Sequence, residues 1–388
     1  MDRNRFKTYS LQDERVLRIL SVALEAVEPG KIVRDYLQGA ILPVHDRIFL
    51  LGIGKAAEPM TVAAADVLNQ YHSGLIITKH SSLSPRKRMA VIESGHPVPD
   101  KRSLAAGRAA LDFVSGLSEN DLLVCLISGG GSSLVMAPRE GISLEEIQSK
   151  TAALLASGAT IHEINVLRRE LDQIKGGGLA RATKAKIVSL ILSDVIGNSL
   201  ETIASGLTID PALGKRVQNI IIGDLRQAAE AAKQQATLGG FDSAIFDLEV
   251  QGEARDVGVQ LAGKLKEERQ KRSRPFCLIA GGETTVTLRG SGKGGRNQEL
   301  ALAAVDELNG VENVLLISLA TDGDDGPTDA AGAVVNGQTH QRAKKPGISA
   351  ADYLSRNDAY TFFDRLGDLL KPGYTGTNVN DLTFLFGL

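Results

Sequence analysis

The sequence of 388 residues contains no tryptophan, two cysteines and 4% aromatic residues. Cys125 and Cys277 each lie inside an apolar, strand-like run, so we expect two buried thiols without a redox role. Lys and Arg total 44 against 46 Asp and Glu, which gives a net charge of −2 at pH 7. This balance removes the electrostatic case for binding nucleic acid or an anionic membrane. We expect small-molecule partners, while a homo-oligomer stays open.

Long apolar runs are also missing. The first residues, MDRNRFKTYSLQDER, are polar and lack the apolar core of a signal peptide. No run approaches the about 20 apolar residues that span a bilayer, so we expect a cytoplasmic protein. The chain instead has 41 glycines and 43% hydrophobic residues, which is typical of an α/β protein rich in tight turns. Its length predicts two domains.

Strand-like and helix-like patterns alternate through the first half of the chain. Apolar strands are predicted at 47–51, 74–78, 89–93, 121–127 and 186–192, with helices between them. This alternation predicts a doubly wound, Rossmann-like, mostly parallel sheet. The composition then changes, and we expect the boundary near residue 240.

The predicted domains are therefore 1–240 and 241–388, with roughly the first 40 residues able to pack on the second domain. The second domain is predicted to be a smaller mixed α/β fold. In it, residues 276–280 and 284–288 predict a β-hairpin around a Gly-Gly-Glu turn.

The most informative stretch is CLISGGGSSLVM, residues 125–136. A β-prone run ends there in a turn of glycines and serines, and three consecutive glycines cost backbone entropy unless the turn needs conformations closed to other residues. Backbone amides in such a turn form a concavity suited to a phosphate or carboxylate. The alternative is a flexible hairpin loop. The apolar residues on both sides favour the anion site.

Lys55 lies where the first strand gives way to a helix. A fixed cation beside the positive end of a helix suits a bound phosphate. The pattern Gly52-x-Gly54-x-x-Ala57 also fits a loosened dinucleotide fingerprint, so an NAD(P)H-dependent oxidoreductase is a rival function. That fingerprint needs an acidic residue after the second strand, where residues 78–80 are Thr-Lys-His. The rival is weakened accordingly.

Three other residues of the first half are candidate site residues. Asp194 comes after the strand 186–192, where a nucleotide enzyme would hold Mg²⁺, although a helix N-cap is an equal alternative. Lys175 precedes a second glycine cluster, which is compatible with an anion site or with a helix stop. His96 lies in a proline-rich turn, where a hydrogen bond to the turn is the more common role than contact with substrate.

The second half contains three polar loops or turns before its last strand. The loop GSGKGGRNQE, residues 290–299, resembles a Walker A motif only superficially, yet it brings Arg296, Asn297 and Glu299 into the first turn of a helix. Asp322 begins a run of four aspartates without the terminal Glu and flanking helices of an EF-hand, which leaves Mg²⁺ binding or an acidic turn. Asn378 lies in a turn able to bond hydroxyl groups.

Together these motifs resemble the class II glycerate kinases, the D-glycerate 2-kinases whose C-terminal half is the MOFRL domain. The matching segments begin at residues 52 (GIGKAA), 95 (GHPVPD), 128 (SGGGSSL), 174 (IKGG), 193 (SDV), 203 (IASG), 281 (GGETTVTL), 292 (GKGGRNQELALAA), 320 (ATDGDDGPTDAAGA) and 375 (TGTNVNDL). The resemblance implies phosphorylation of glycerate at its 2-hydroxyl by ATP, with Mg²⁺ or another divalent cation. It also implies two α/β domains with the active site in the cleft between them.

The resemblance also implies roles for individual residues. Lys55 and Arg296 match the lysine and arginine regarded as catalytic, with Asp194 a candidate general base. Asp194 and Asp322 are the expected metal ligands. The residues expected to bind substrate or nucleotide are Gly54, His96, Ser128, Gly129, Gly130, Gly131, Ser132, Ser133, Lys175, Glu283, Asn297, Glu299 and Asn378.

The chain departs from the family pattern at several positions. Residues 197–200 are Gly-Asn-Ser-Leu where Gly-Asp-Asp-Pro is expected, Leu207 replaces a proline, and Glu170 and Asp172 replace His and Ser. If the missing aspartates bind metal in relatives, Asp194 or Asp322 must do so alone. A hydroxypyruvate or tartronate-type oxidoreductase and a non-catalytic nucleotide-binding protein remain the alternatives.

Overall fold

A computed structural model describes residues 2–82, 84, 86–156 and 161–388. It contains two compact units, which we call the first unit (Pro29–Asp224) and the second unit (Met1–Glu28 with Leu225–Leu388). The boundary between the units follows residue 224, whereas the sequence predicted a domain boundary near 240, and residues 2–28 belong with the C-terminal part of the chain.

The elements are numbered along the chain. The helices are α1 (Glu14–Glu25), α2 (Pro29–Gly39), α3 (Ala57–Leu68), α4 (Lys101–Ser115), α5 (Gly131–Leu134), α6 (Leu144–Ala156), α7 (Ile161–Leu171), α8 (Gly178–Arg181), α9 (Leu225–Leu238), α10 (Ala254–Lys271), α11 (Arg296–Glu307), α12 (Thr339–Lys344), α13 (Ala350–Ser355) and α14 (Ala359–Leu366). The strands are β1 (Arg47–Ile53), β2 (Tyr71–Thr78), β3 (Met89–Glu93), β4 (Asp121–Ile127), β5 (Lys186–Leu192), β6 (Val217–Gly223), β7 (Asp242–Val250), β8 (Phe276–Gly282), β9 (Val314–Ala320), β10 (Gly332–Asn336), β11 (Leu369–Leu370) and β12 (Asp381–Gly387).

The first unit is built on a parallel sheet in the order β3-β2-β1-β4-β5-β6. This is the strand order of the Rossmann fold, and the predicted doubly wound sheet is confirmed. The order reverses between β1 and β4, so the connections after these two strands leave in opposite directions. In such sheets the ligand binds at the carboxyl ends of the strands on either side of this switch point.

The second unit is built on a mixed sheet in the order β11-β10-β9-β12-β8-β7. β7 and β8 are parallel, whereas β12 is antiparallel to both β8 and β9. The predicted second α/β domain with a mixed sheet is therefore confirmed. Each unit also has its own apolar core, with helices packed against the faces of its sheet.

The predicted hairpin after β8 is wrong. Residues 284–288 do not pair with β8, whose neighbours are β7 and β12. Instead Glu283 N donates to Val250 O (2.9 Å) and Thr285 N to Gly252 O (2.8 Å), so this segment continues beside the end of β7. Only Thr285 of this segment takes part in a β-bridge, with Glu253. A β-branched pattern in one segment does not specify which distant segment it will pair with.

Both cysteines lie in the cores. Cys125 on β4 and Cys277 on β8 are buried free thiols, and burial raises the pKa of Cys125 to about 12. A thiol that stays protonated is a poor nucleophile, which agrees with the structural role expected from the sequence. In the described part of the chain, no helix combines the length and apolar character that crossing a membrane requires.

The N-terminal segment of the second unit is anchored by Asp368, whose side chain is fully buried. Its Oδ1 accepts a hydrogen bond from Ser10 N (2.8 Å), and its Oδ2 accepts from Ser10 Oγ (2.9 Å) and Arg342 Nη1 (2.7 Å). The Arg342 guanidinium also lies 3.9 Å from the centroid of the Tyr9 ring. The carboxylate of Asp368, which directly precedes β11, therefore joins the segment before α1 to α12.

We predict that Asp368→Ala strongly destabilises the second unit. The substitution leaves the Arg342 guanidinium largely buried without its carboxylate, and breaking such a buried pair costs about 3–5 kcal/mol. Asp364→Ala on α14 is the matched control, because Asp364 is 57% exposed and its ion pair with Lys371 is 3.5 Å long; its expected effect is within about 0.5 kcal/mol. Thermal unfolding followed by circular dichroism measures both, and equal midpoints for the two variants would contradict the anchoring role.

Candidate active site

The loops that follow β1 and β4 interlock at the switch point. The last residues of the two strands are register partners, so both loops leave the sheet at the same level. Ala56 N donates to Ser128 Oγ (2.9 Å), and Lys55 N donates to Gly129 O (2.9 Å). The backbone of the predicted catalytic lysine is thereby fixed against the predicted glycine loop, residues 128–133.

Glycines make this approach possible. Gly54 has φ +136°, and a Cβ there would lie 2.2 Å from Ser128 Oγ and 2.6 Å from Ser128 O. A Cβ on Gly129 would lie 1.8 Å from Oδ2 of Asp194, so the carboxylate of Asp194 packs directly on the loop backbone. Gly131 likewise faces the Ala204 methyl group at a distance that leaves no room for a side chain. A larger residue at these positions would separate the groups that the loops bring together.

His96 and Lys55 meet beside Gly130. A Cβ built on Gly130 would lie 3.0 Å from His96 Nε2 and 3.2 Å from Lys55 Cγ. Burial, and then the charges of Lys55 and Lys79, lower the pKa of His96 to about 4. Its Nδ1 is buried and has no hydrogen-bond partner among the described residues. At neutral pH His96 is therefore an uncharged imidazole beside a lysine.

The buried side chain of Lys175 donates hydrogen bonds to the backbone of the glycine loop and of Val135. The side chain is 2% exposed, and Nζ donates to Ser132 O (2.5 Å) and Val135 O (3.4 Å). Burial lowers the pKa of Lys175, and the neighbouring Asp172 opposes that shift. Lys175 thus contacts the protein's own carbonyls, the Ser132 hydroxyl and the Asp172 carboxylate. Its role in binding an anion stays a prediction.

The two loop serines have different partners. Ser133 Oγ donates to Gly130 O (3.0 Å) and closes the turn that begins α5. Ser132 Oγ lies 2.7 Å from Ser205 Oγ and 3.4 Å from Arg168 Nη1. Ser132 therefore connects the loop to α7.

Arg296, at the start of α11 in the second unit, is held by two carboxylates. Its Nε and Nη2 donate to Asp381 (2.5 and 3.2 Å), and its Nη1 donates to Glu283 (2.6 Å). Burial disfavours the charged guanidinium, but the two carboxylates more than offset this and raise the pKa of Arg296. Asp381 and Glu283 lie at the ends of the neighbouring strands β12 and β8, which explains how they converge.

Asp325 caps the same helix. Its carboxylate accepts from Asn297 N (3.1 Å) and Gln298 N (2.8 Å), and burial raises its pKa to about 7. The Asn297 side chain donates to Asp325 (3.3 Å) and accepts from Ser318 Oγ (2.6 Å). The aspartate run thus supplies a helix cap, and Asp322 Oδ1 accepts from Asp324 N (3.3 Å) within the same turn.

The remaining predicted residues of the second unit make internal contacts. Glu299 is buried and accepts from Arg255 Nη2 (2.6 Å) and Asn357 Nδ2 (2.9 Å). Asn378 Oδ1 accepts from Asn380 N (3.1 Å). The binding roles of Asn297, Glu299 and Asn378 stay predictions, because their known contacts are with the protein itself.

No group of three or more His, Cys, Asp or Glu side chains in the described ranges is arranged to hold a metal ion. Asp194 and Asp322, the two expected ligands, belong to different units.

Sequence reasoning missed Asp381, Asp325 and Arg168. Asp325 was seen only as part of an acidic run, and Asp381 only as the end of a motif. Arg168 lies in α7, whereas Asp172 and Lys175 follow the end of that helix at Leu171. The helical spacing of the three residues was therefore not a signal that they share a site.

We predict that the imidazole of His96 titrates near pH 4. In two-dimensional NMR spectra of the histidine rings, one of the six histidines, assigned from its loss in His96→Gln, should titrate near pH 4, well below the ordinary pKa of about 6.5. Lys55→Met should raise this pKa because it removes a neighbouring positive charge, whereas Lys184→Met, on the surface of the same unit, should not. A titration of His96 near 6.5 would contradict the burial and charge that the structure gives it.

The same shift makes stability depend on pH. Because the pKa is lower in the folded than in the unfolded chain, the contribution of His96 is fully present above about pH 6.5 and is lost as the pH falls toward 4.

Comparison with known proteins identifies the family. Residues 15–234 match a domain of unknown function (DUF4147), and residues 276–381 match the MOFRL family. The D-glycerate 2-kinase of Thermotoga maritima is 42% identical over 94% of this chain and 96% of its own length. The glycerate 2-kinase of Pyrococcus horikoshii is 37% identical over 94% and 95%. A relative from Agrobacterium vitis, 37% identical, carries a provisional hydroxypyruvate reductase name.

A solved structure agrees with the sequence comparison. The crystal structure of glycerate kinase from Thermotoga maritima superposes with a TM-score of 0.89 at 41% identity, covering 96% of this chain and 98% of that one. The match of both domains in order, and of the fold over nearly the whole length, shows that the chain belongs to the MOFRL-containing glycerate kinase family.

Proposed function

We propose that this protein is a D-glycerate 2-kinase, which transfers the γ-phosphoryl group of ATP to the 2-hydroxyl of D-glycerate and yields 2-phosphoglycerate and ADP. The observation that carries the proposal is the meeting of Lys55, neutral His96 and a glycine loop at the switch point of a Rossmann-type sheet. These groups meet in a chain that is similar, along nearly its full length, to proteins named as glycerate 2-kinases.

The chemistry of phosphoryl transfer suits these groups. Little covalent work falls to the protein, and most of the rate comes from positioning and from neutralising charge on the phosphoryl oxygens. Lys55 supplies a positive charge from a backbone that is already fixed, so little reorganisation is needed. The amides of the glycine loop supply further donors to an anionic group.

Arg296 is the second proposed cation. Asp381 and Glu283 use three of the five N–H donors of a guanidinium, which leaves two for phosphoryl oxygens. The two carboxylates hold the plane of the guanidinium in one orientation. We assign Arg296 to the transferred phosphoryl group, and Glu283 to the orientation of Arg296 as well as to the predicted binding site.

Mg²⁺ is part of the proposal. Mg²⁺ in kinases is held by one or two carboxylates together with phosphate oxygens and waters, and Asp194, which packs on the glycine loop, fits the role of a single protein ligand. The ion would neutralise charge on the phosphates. Asp322, in the acidic turn of the second unit, is the second candidate ligand.

The rival is a hydroxypyruvate reductase using NAD(P)H. The Rossmann strand order and the glycine pattern after β1 favour it, as does the name of one relative. Against it, β2 ends at Thr78 and is followed by Lys79 and His80, so these residues supply no carboxylate of the kind that holds the ribose hydroxyl in dinucleotide enzymes.

One pair of assays separates these functions. The purified protein is incubated with ATP, Mg²⁺ and D-glycerate, and the phosphoglycerate isomer is identified by NMR; in parallel, NADH and NADPH absorbance is followed with hydroxypyruvate. We expect 2-phosphoglycerate and no nicotinamide oxidation. Oxidation of NAD(P)H without phosphoglycerate would establish the rival, and ATP binding without either product would indicate a non-catalytic protein.

We predict that Lys55→Ala and Arg296→Ala each lower kcat by about 10²–10³-fold or more, since the proposed mechanism uses the charge of Lys55 and the oriented N–H donors of Arg296 in phosphoryl transfer. Lys184→Ala, an exposed lysine of the first unit, is the control and should keep normal turnover. Circular dichroism shows whether each variant is folded. Near-normal kcat in a folded Lys55→Ala or Arg296→Ala protein would remove that residue from the mechanism.

A further inference from the structure

A cavity of about 170 Å³ lies beside the glycine loop, entirely within the first unit. Its apolar lining includes Pro97, Val98, Met136 and Ile147, and its polar lining includes Ser132, Arg168, Asp172 and Lys175. Pockets for drug-sized ligands measure about 300–1,000 Å³. The cavity is therefore too small for a nucleotide and is suited to a small polar molecule with a short carbon chain.

Arg168 places a positive charge on this cavity. Its closest polar contact among the described residues is Ser132 Oγ, 3.4 Å from Nη1, and no carboxylate there forms an ion pair with it. Burial lowers the pKa of Arg168, and no acidic neighbour opposes that shift. A largely buried guanidinium without an anion is costly, because charge is removed from water without compensation.

Asp172 places an acceptor on the same cavity. The carboxylate is 1% exposed; its Oδ1 accepts from Ala137 N (3.1 Å) and Ile174 N (3.0 Å). Its Oδ2 lies 3.4 Å from Lys175 Nζ but accepts no hydrogen bond within the described ranges. Asp172 and Lys175 balance each other in charge, so Arg168 leaves the polar wall with a net charge of about +1. The wall thus offers one cation and one unused hydroxyl acceptor.

We propose that this cavity binds the hydroxy acid, with its carboxylate accepting from Arg168 beside Ser132 and one of its hydroxyls donating to Asp172 Oδ2. The inference rests on the proposed function and deepens it, because it assigns the acid rather than the nucleotide to the Ser132 end of the glycine loop. Arg168 becomes a specificity-determining residue for a monoanionic acid, and Asp172 distinguishes hydroxy acids from acids without a hydroxyl.

The first test compares Arg168→Met with Arg169→Met. Arg169 is the next residue on α7 and pairs with the exposed Glu201 (3.3 Å), so its replacement removes the same charge outside the cavity. Arg168→Met should raise KM for D-glycerate about 10- to 150-fold, the usual loss for a hydrogen bond to a charged group, with KM for ATP unchanged. Arg169→Met should change neither.

Two further readouts separate a ligand contact from a structural role. Wild-type protein should prefer D-glycerate over its uncharged methyl ester, and Arg168→Met should lose most of this preference. The thermal midpoint of Arg168→Met should equal or exceed that of the wild type, because the variant no longer buries an unpaired charge. A lower midpoint together with an unchanged preference for the free acid would show that Arg168 is structural.

Direct binding keeps the inference independent of turnover. Isothermal titration of D-glycerate into the wild-type protein without ATP should show binding that weakens in Arg168→Met. If wild-type protein binds D-glycerate in this way but forms no 2-phosphoglycerate, the proposed function fails and the assignment of the cavity stands. If wild-type protein phosphorylates glycerate and Arg168→Met keeps its KM for glycerate, or raises KM for ATP instead, the assignment of the cavity is overturned.

Discussion

The close approach of Gly54 to Ser128 is the constraint on which the rest of the first unit depends. β1 and β4 are adjacent parallel strands about 4.8 Å apart, and their loops begin at the same level, so they collide unless one of them lacks a side chain. With glycine at 54, the Lys55 amide reaches Gly129 O, and the glycine loop can in turn accept Asp194 and His96 against its backbone. Each step uses space that a Cβ would fill.

The two units treat their cations differently. In the first unit Lys55 lies beside an uncharged His96, and Arg168 has no acidic partner in the described part of the chain, so positive charge remains available for an anion. In the second unit Arg296 is fixed by two carboxylates, which orient it and outweigh its single positive charge. A guanidinium held this way contributes oriented hydrogen-bond donors more than electrostatic attraction for an anion. A cation without carboxylate partners contributes mainly electrostatic attraction.

The sequence was sufficient to predict elements whose signal is local. The alternation of apolar runs and helices gave the parallel sheet, and the glycine motifs marked the loops at its carboxyl edge. It was insufficient where the partner is distant in the chain. The contacts of Lys175 with Ser132 and Val135, and of Glu299 with Arg255 and Asn357, were not predictable, because these partners are distant in the sequence. The binding roles of Lys175 and Glu299 stay predictions. Residues 284–288 failed as a hairpin for the same reason, since the backbone partner of Thr285 lies just after β7.

Buried polar atoms without a hydrogen bond reduce the stability of a fold by about 1–3 kcal/mol each, so their location is informative. In the described part of the chain several such atoms lie close in sequence or space to the glycine loop or Lys55: Glu58 Oε2 in the first turn of α3, His96 Nδ1 and Asp172 Oδ2. The other such atoms of the described residues lie in the second unit, at Arg269 Nε, Thr284 Oγ1, Gln298 Oε1 and Thr377 Oγ1. Under the proposed function, a ligand at the glycine loop would supply partners to His96 Nδ1 and Asp172 Oδ2, and the stability lost in its absence would be recovered on binding.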